Sequence, residues 1–296
     1  MTQTAQAKVT KFADQEQVIS DLRGLLQIES TSGDAGPVTD EAPFGENIRK
    51  AIDYVLDIGK RFGFRTKDVD GMCGWVEIGP EDADEMVGIL AHVDTVPVSD
   101  GWNYEPFDGT VEDGKIYGRG TNDDKGPAVA ALYAMKAVTD SEVPLERRIR
   151  LIVGGDEENG QWRCMKRYKE TEENPTCSFS PDADYPVIFA EKGILGVRIY
   201  SNPDLQGDDL TLDSGTVINI VPSEAHAEAN GQKYQTTGTP AHAMEPQKGD
   251  NALLKLGHVL QEAGVSHPFL DLLEKANVRD LNIDVSDDVS GELTFN

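Results

Sequence analysis

Apolar positions recur along this chain with two different periods, and the periods predict its elements. Val18, Ile19, Leu22, Leu25, Leu26 and Ile28 fall on one stripe at helical spacing. A second amphipathic helix is predicted from about Phe44 to Phe62, with Ile48, Ile52, Val55, Leu56 and Phe62 on its buried side. Between them, residues 29–43 are dense in Gly, Pro, Ser and Asp and read as a loop. Strands are predicted near 73–78 and 86–93. The second, MVGILAHV, is almost continuously apolar, as suits a strand covered on both faces of its sheet. Residues 97–115 form a long loop carrying Trp102, Tyr104 and Phe107. A buried helix over 126–138, a strand over 148–154, a helix over 160–170 and a short strand over 177–179 follow. Strands alternating with helices argue for an α/β fold, a layered sandwich with a largely parallel sheet.

Near residue 189 the pattern changes. IFAEKGILGVRIYSN and VINIVPSEAHAEANG look like strands of a more meandering sheet, and 251–261 looks helical. The change places a domain boundary at about 187–192, giving a first domain over 1–189 and a second over 190–296.

Charge narrows the function classes. Fifty-three acidic against 27 basic side chains leave a net charge of −26, which disfavours nucleic acid and anionic membrane as partners and is compatible with binding cations. Cys73, Cys164 and Cys177 are too sparse for a disulfide framework and read as reduced thiols. The polar N-terminus lacks the apolar core of a signal segment, and the apolar stretch 86–91 is too short to span a bilayer. The expectation is a soluble, cytoplasmic protein.

Three acidic clusters follow strands. His92 and Asp94 sit two residues apart at the end of the apolar strand, so both side chains can face one crevice. Alone, that pair reads first as a strand-end histidine in a loop network. Asn122, Asp123 and Asp124 precede the buried helix; one carboxylate suffices as a helix cap, and the other is left able to bridge metals. Asp156, Glu157 and Glu158 follow the strand RIRLIVG, and Asp182 and Asp184 follow the short one. In so acidic a chain each run passes for a solvated loop, yet ligands of open α/β sheets gather beyond the carboxyl ends of strands. One nitrogen and several oxygen donors suit zinc, with manganese and cobalt as competitors.

GILAHVDTVP (88–97), GWNYEPFDGTVEDGKIYGRGTNDDKGP (101–127), GGDEENG (154–160) and SPDADYP (180–186) resemble the M20 metallopeptidase family, and among its members the PepV-like dipeptidases. GTVINIVPSEA followed by TGTPAHAMEPQKGDNA resembles the family's lid domain. The resemblance implies a zinc-peptidase-like α/β/α sandwich with a partial α+β lid and a site for two zinc ions. His92, Asp123 and Asp182 match ligands of one ion; Asp123 bridges to the second, which Glu158 also holds. Glu157 matches the general base, Asp94 the partner that orients His92, and His242 the lid histidine that stabilises an oxyanion; Asn219 is a further candidate for substrate contact. A cis peptide is implied between Asp123 and Asp124. His226, His258 and His267 receive no role.

The resemblance also implies a final metal-ligating histidine in a segment after the lid, and no such motif follows His242. The chain therefore looks truncated, with a weakened second zinc position, bare apolar surface and weak or absent peptidase activity expected of it. The substrate implied is a dipeptide and the state implied a monomer. The competing readings are an M20-type deacylase of N-acyl amino acids, such as acetylornithine deacetylase or succinyl-diaminopimelate desuccinylase, and a non-catalytic fragment that binds metal or a partner chain.

Overall fold

The computed structural model describes residues 14–98, 101–183, 186–190, 193, 196–200, 210–215, 218, 220–275, 285–289 and 291–294. The chain divides into two compact units, Met1–Val187 and Ile188–Asn296.

In the first unit, helices α1 (Gln15–Leu26) and α2 (Glu46–Arg61) precede strands β1 (Arg65–Val69), β2 (Cys73–Ile78) and β3 (Met86–His92). A small antiparallel pair follows, β4 (Thr110–Glu112) with β5 (Lys115–Tyr117). Then come α3 (Lys125–Asp140), β6 (Arg148–Gly154), α4 (Arg163–Thr171) and β7 (Cys177–Phe179). Five strands form one sheet in the order β1-β2-β6-β3-β7. β1 and β2 join antiparallel at one edge, whereas β6, β3 and β7 run parallel.

Alternation along the strands divides the core between two faces. Val76, Ile78, Ile89, Ala91, Leu151 and Val153 meet Leu25, Leu26, Ile48, Ile52, Val55, Ala128, Val129 and Leu132 from α1, α2 and α3. On the opposite face, Cys73 and Ile152 pack against Cys164 and Tyr168 of α4. The result is the α/β/α sandwich that the resemblance implied, but two of the four pairings in this sheet are antiparallel, where a largely parallel sheet was expected, because the polar edge strand β1 and its neighbour β2 form a hairpin.

Local chemistry fixes the elements nearest the sheet's carboxyl rim. Asp14 caps α1 by accepting from the backbone N–H groups of Glu16 and Gln17. Gly45 enters α2 at φ 106°, where a Cβ would lie 2.6 Å from the carbonyl oxygen of Ala35. Lys125, fully buried in the first turn of α3, donates its Nζ to the carbonyls of Leu25 (3.2 Å) and Ile28 (2.7 Å). The Lys125 side chain thus satisfies free carbonyls at the end of α1 and ties that end to the start of α3.

In the second unit, β8 (Leu210–Ser214), β9 (Glu224–Ala229) and β10 (Gln232–Thr237) form an antiparallel sheet in the order β10-β9-β8. Ala225, Ala227 and Ala229 face α5 (Ala252–Glu262) and α6 (Pro268–Lys275), while His226 and the flanking glutamates lie on the polar face. Two short strands, β11 (Ser286–Asp287) and β12 (Gly291–Glu292), pair with each other. The strand expected over IFAEKGILGVRIYSN does not form among the described residues of that segment. Phe189 and Tyr200 are 85% and 81% exposed.

Candidate metal centre

The parallel register of β3 with β6 and β7 brings three connections out at one rim. His92 is paired with Gly154 across the β3–β6 ladder, and Ile89 with Phe179 across the β3–β7 ladder. The chain after β3 supplies Asp94, the chain after β6 supplies Glu157 and Glu158, the chain after β7 supplies Asp182, and the turn into α3 supplies Asp123. The peptide between Asp123 and Asp124 is cis.

His92 is the hub of these groups. Its Nε2 lies 2.9 Å from Asp123 Oδ1, 3.4 Å from Asp182 Oδ2 and 3.8 Å from Glu157 Oε2. Donor atoms of His92, Asp123 and Asp182 lie within 4.8 Å of one another, as do those of His92, Glu157 and Glu158. The other ring nitrogen, Nδ1, faces the backbone carbonyl of Asp94 at 2.9 Å and its carboxylate at 3.5 Å. A proton on Nδ1 donated to that carbonyl leaves the Nε2 lone pair for a cation. The carboxylate of Asp94, fully buried, does something the sequence did not suggest. Its two oxygens accept the backbone N–H groups of Glu157 (3.2 Å) and Glu158 (3.1 Å), so it shapes the turn that presents both glutamates.

The two glutamates are held differently. Glu158 Oε1 accepts from the N–H of Val96 at 3.2 Å. Among the described residues the Glu157 carboxylate accepts no hydrogen bond; His92 lies 3.8 Å from it and Glu158 is a close neighbour. Asp156 belongs to the fold: its carboxylate accepts from the N–H groups of Arg163 and Cys164 and caps α4. Asp124 is buried, accepts from the N–H of His92 through Oδ2 at 3.1 Å, and leaves Oδ1 without a partner.

Crowding of acids sets the electrostatics. Burial pushes Glu158 up to about 7, with the charge of Asp123 adding to it. Burial also pushes Asp124 up to about 7, helped by Asp182. Glu157 is raised too, chiefly by burial. Asp123 is lowered by its hydrogen bond to His92. Burial alone would lower the His92 imidazole, but its bonds to Asp123, Asp182 and Asp94 raise it instead. A proton on His92 there offsets negative charge that a divalent cation would offset better. The donor set, one imidazole nitrogen among carboxylate oxygens, fits zinc, manganese or cobalt.

A stability prediction follows from these directions. Glu158 and Asp124 hold their protons to about 7 in the fold, against about 4 in an unfolded chain. Between those values the native state binds more protons, so this contribution is present at the acid end and lost as pH rises toward 7. Lys125, lowered to about 7 by burial, acts in the opposite sense only above that pH. In chelator, the Tm should fall from pH 5 to pH 7, and Glu158→Gln should flatten the fall; a Tm that rises over this interval in both proteins would contradict it.

The sequence-derived candidates sort cleanly by position. His92, Asp94, Asp123, Glu157, Glu158 and Asp182 meet at one rim. His242 lies in the second unit, exposed, with Nδ1 accepting the N–H of Met244 at 3.2 Å. Asn219 and Asp184 lie outside the described residues.

The sequence pattern of peptidase family M20/M25/M40 matches residues 88–286, which span every group at this rim. The chain belongs to that family. A Bacillus subtilis (strain 168) protein named "Putative dipeptidase YtjP" is 36% identical over 333 residues, covering 98% of this chain and 71% of its own length. A Staphylococcus haemolyticus protein named "Putative dipeptidase SH1171" is 44% identical over 217 residues, covering 71% of this chain and 45% of its own. Human carnosine dipeptidase 1, a solved structure, aligns at 28% identity with a TM-score of 0.48 over 55% of this chain and 37% of its own. This M20 chain thus spans less than half of the staphylococcal relative and of the solved human protein. No helix among its described residues is long and apolar enough to cross a membrane.

Proposed function

We propose that this chain carries the metal-binding half of a zinc-dependent dipeptidase. The observation that supports the reading most is the environment of one imidazole. His92, anchored at Nδ1 by a backbone carbonyl, turns Nε2 toward carboxylates delivered by three separate segments. The first compact unit is the catalytic domain and the second a partial lid. Buried, unpaired Cys73 and Cys164 agree with a reducing, cytoplasmic setting. A monomer acting on dipeptides is the state and substrate that we assign.

His92, Asp123 and Asp182 would hold one ion, and Asp123 with Glu158 the other. When bound, the ions polarise the peptide carbonyl and acidify water at this rim. Glu157, raised by burial and without a hydrogen bond to its carboxylate among the described residues, takes a proton from the attacking water and delivers it to the departing amine. Asp94 keeps Glu157 and Glu158 in place through their backbone N–H groups. His242 is the candidate donor to the oxyanion of the tetrahedral intermediate, a role worth a few kcal/mol in comparable sites.

Zinc titration with elemental analysis, paired with assays on dipeptides and on N-acyl amino acids, tests this reading. Three protein donors against two should give two unequal zinc classes. Zinc uptake with dipeptide turnover supports the proposal. Turnover of N-acyl amino acids alone would make the chain a deacylase, and no uptake and no turnover would make it a non-catalytic fragment.

A further inference from the structure

Four buried side-chain atoms have no hydrogen-bond partner among the described residues: Thr95 Oγ1, Arg119 Nε, Thr121 Oγ1 and Asp124 Oδ1. Such atoms are few in any fold because each is costly. Here all four fall on two short segments, one at position 95 and one over 119–124.

The two segments touch. Thr95 is fully buried, and its Cγ2 would lie 3.2 Å from a Cβ placed on Gly120, the residue between Arg119 and Thr121. The turn that starts at Gly120 closes on itself, with the N–H of Gly126 donating to the carbonyl of Gly120 at 3.2 Å. It carries Thr121 and the fully buried Asp124. Asp124 reaches back to the strand, where its Oδ2 accepts the N–H of His92, three residues before Thr95. The main chain of Thr95 is already engaged: its N–H donates to the carbonyl of Ser30 at 3.0 Å and its carbonyl accepts the N–H of Ser32 at 2.8 Å. Only the hydroxyl is left over.

The chemistry of the set selects its ligand. A carboxylate oxygen only accepts, the arginine Nε only donates, and each hydroxyl does both. Water matches this mixture. It can donate to Asp124 Oδ1 and one hydroxyl while accepting from the other hydroxyl and from Nε. Buried waters typically make about three bonds to groups of this kind. A metal ion fits less well, because Lys125, fully buried next to Asp124, would set its ammonium against a second positive charge.

We propose that Thr95, Thr121 and Asp124 form an internal water site behind the turn that carries Asp123, with Arg119 Nε as a further donor. The water acts as a rivet between the end of β3 and that turn. The site goes beyond the metal-centre reading and does not depend on it.

The test uses the 296-residue chain in chelator, without zinc. Magnetic relaxation dispersion of the solvent counts the waters that the protein holds through its tumbling. Thr95→Val exchanges the hydroxyl for a methyl of the same shape and should remove one water from the count. Thr121→Val should remove the same one, so the double variant also loses one. Thr95→Ser keeps the hydroxyl and should keep the water. The Tm should fall in both valine variants and no further in the double than in the worse single, whereas a hydroxyl without any partner, once exchanged for methyl, would leave the Tm unchanged or raise it. No water lost, two lost in the double, or a Tm at or above wild type in both valine variants would overturn the site. Every readout is taken without zinc, so its failure leaves the metal centre untouched, and failure of zinc uptake leaves the water site untouched.

Discussion

Replacing Glu157 by glutamine is expected to lower dipeptide turnover by about 10²- to 10⁴-fold while zinc content stays at the wild-type level. The reason lies in the contrast between neighbours. Glu158 is tied to the N–H of Val96, and its charge is needed to hold an ion. Glu157 reaches within 3.8 Å of the His92 ring, is raised by burial, and has no hydrogen bond to its carboxylate among the described residues. A glutamine there keeps the shape and loses the proton acceptor. Glu158→Gln should do the reverse, weakening zinc uptake first. Steady-state rates on a dipeptide, with zinc counted by elemental analysis on the same samples, check both. Wild-type turnover in Glu157→Gln would end the assignment of the base.

Asp94→Ala is expected to cost about 3 kcal/mol of stability, given that a charged hydrogen bond is worth about 1.5–3 kcal/mol and two N–H groups lose their acceptor. It should also weaken zinc binding by roughly 10- to 100-fold, the usual effect of removing a group that positions ligands. The His92 ring keeps the Asp94 backbone carbonyl at 2.9 Å from Nδ1 and loses the carboxylate at 3.5 Å, the group expected to help orient it. The larger loss falls on the turn carrying Glu157 and Glu158. Asp94→Asn, with one acceptor oxygen in place of two, should fall between. Thermal unfolding without metal and a zinc competition titration separate the two effects. Wild-type zinc affinity in Asp94→Ala would show that the turn forms without its carboxylate.

Where burial is two-sided or the stripe is strong, the sequence revealed the element. Strands β2 and β6 run over 73–78 and 148–154 as the apolar runs predicted, and the short strand expected at 177–179 forms as β7 although its residues are exposed. Helix α2 covers the stripe of Ile48, Ile52, Val55 and Leu56. What escaped has one physical cause, pairing that leaves no apolar signature. RTKDV in β1 is an edge strand, mostly polar, defined by its ladder to β2. The β4–β5 pair lies largely inside a segment read as one long loop, because three-residue strands carry too few positions to show a period. In the second unit, LTLDS and QKYQTT became strands only through the alanines of β9 between them. Conversely, IFAEKGILGVRIYSN reads as a strand from its apolar content, yet its described residues form none.

The candidate site was legible in part. His92, Asp123, Glu157, Glu158 and Asp182 were visible as acids and one histidine following strands, and the parallel register brings them together. The use of the Asp94 carboxylate was not visible, since it acts on backbone N–H groups more than 60 residues away in sequence. Asp156 was indistinguishable by composition from its neighbours, and only its bonds to the start of α4 separate it from them.

The two ladders of β3 differ in length, seven residue pairs with β6 and three with β7. His92, Glu157 and Glu158 therefore spring from a stiff central seam, while Asp182 hangs from a short outer tether. On our reading of the centre, an ion seated between them would act as a clasp on the sheet's margin. Ions would then enter and leave by the Asp182 side, and stripping them would loosen that border first.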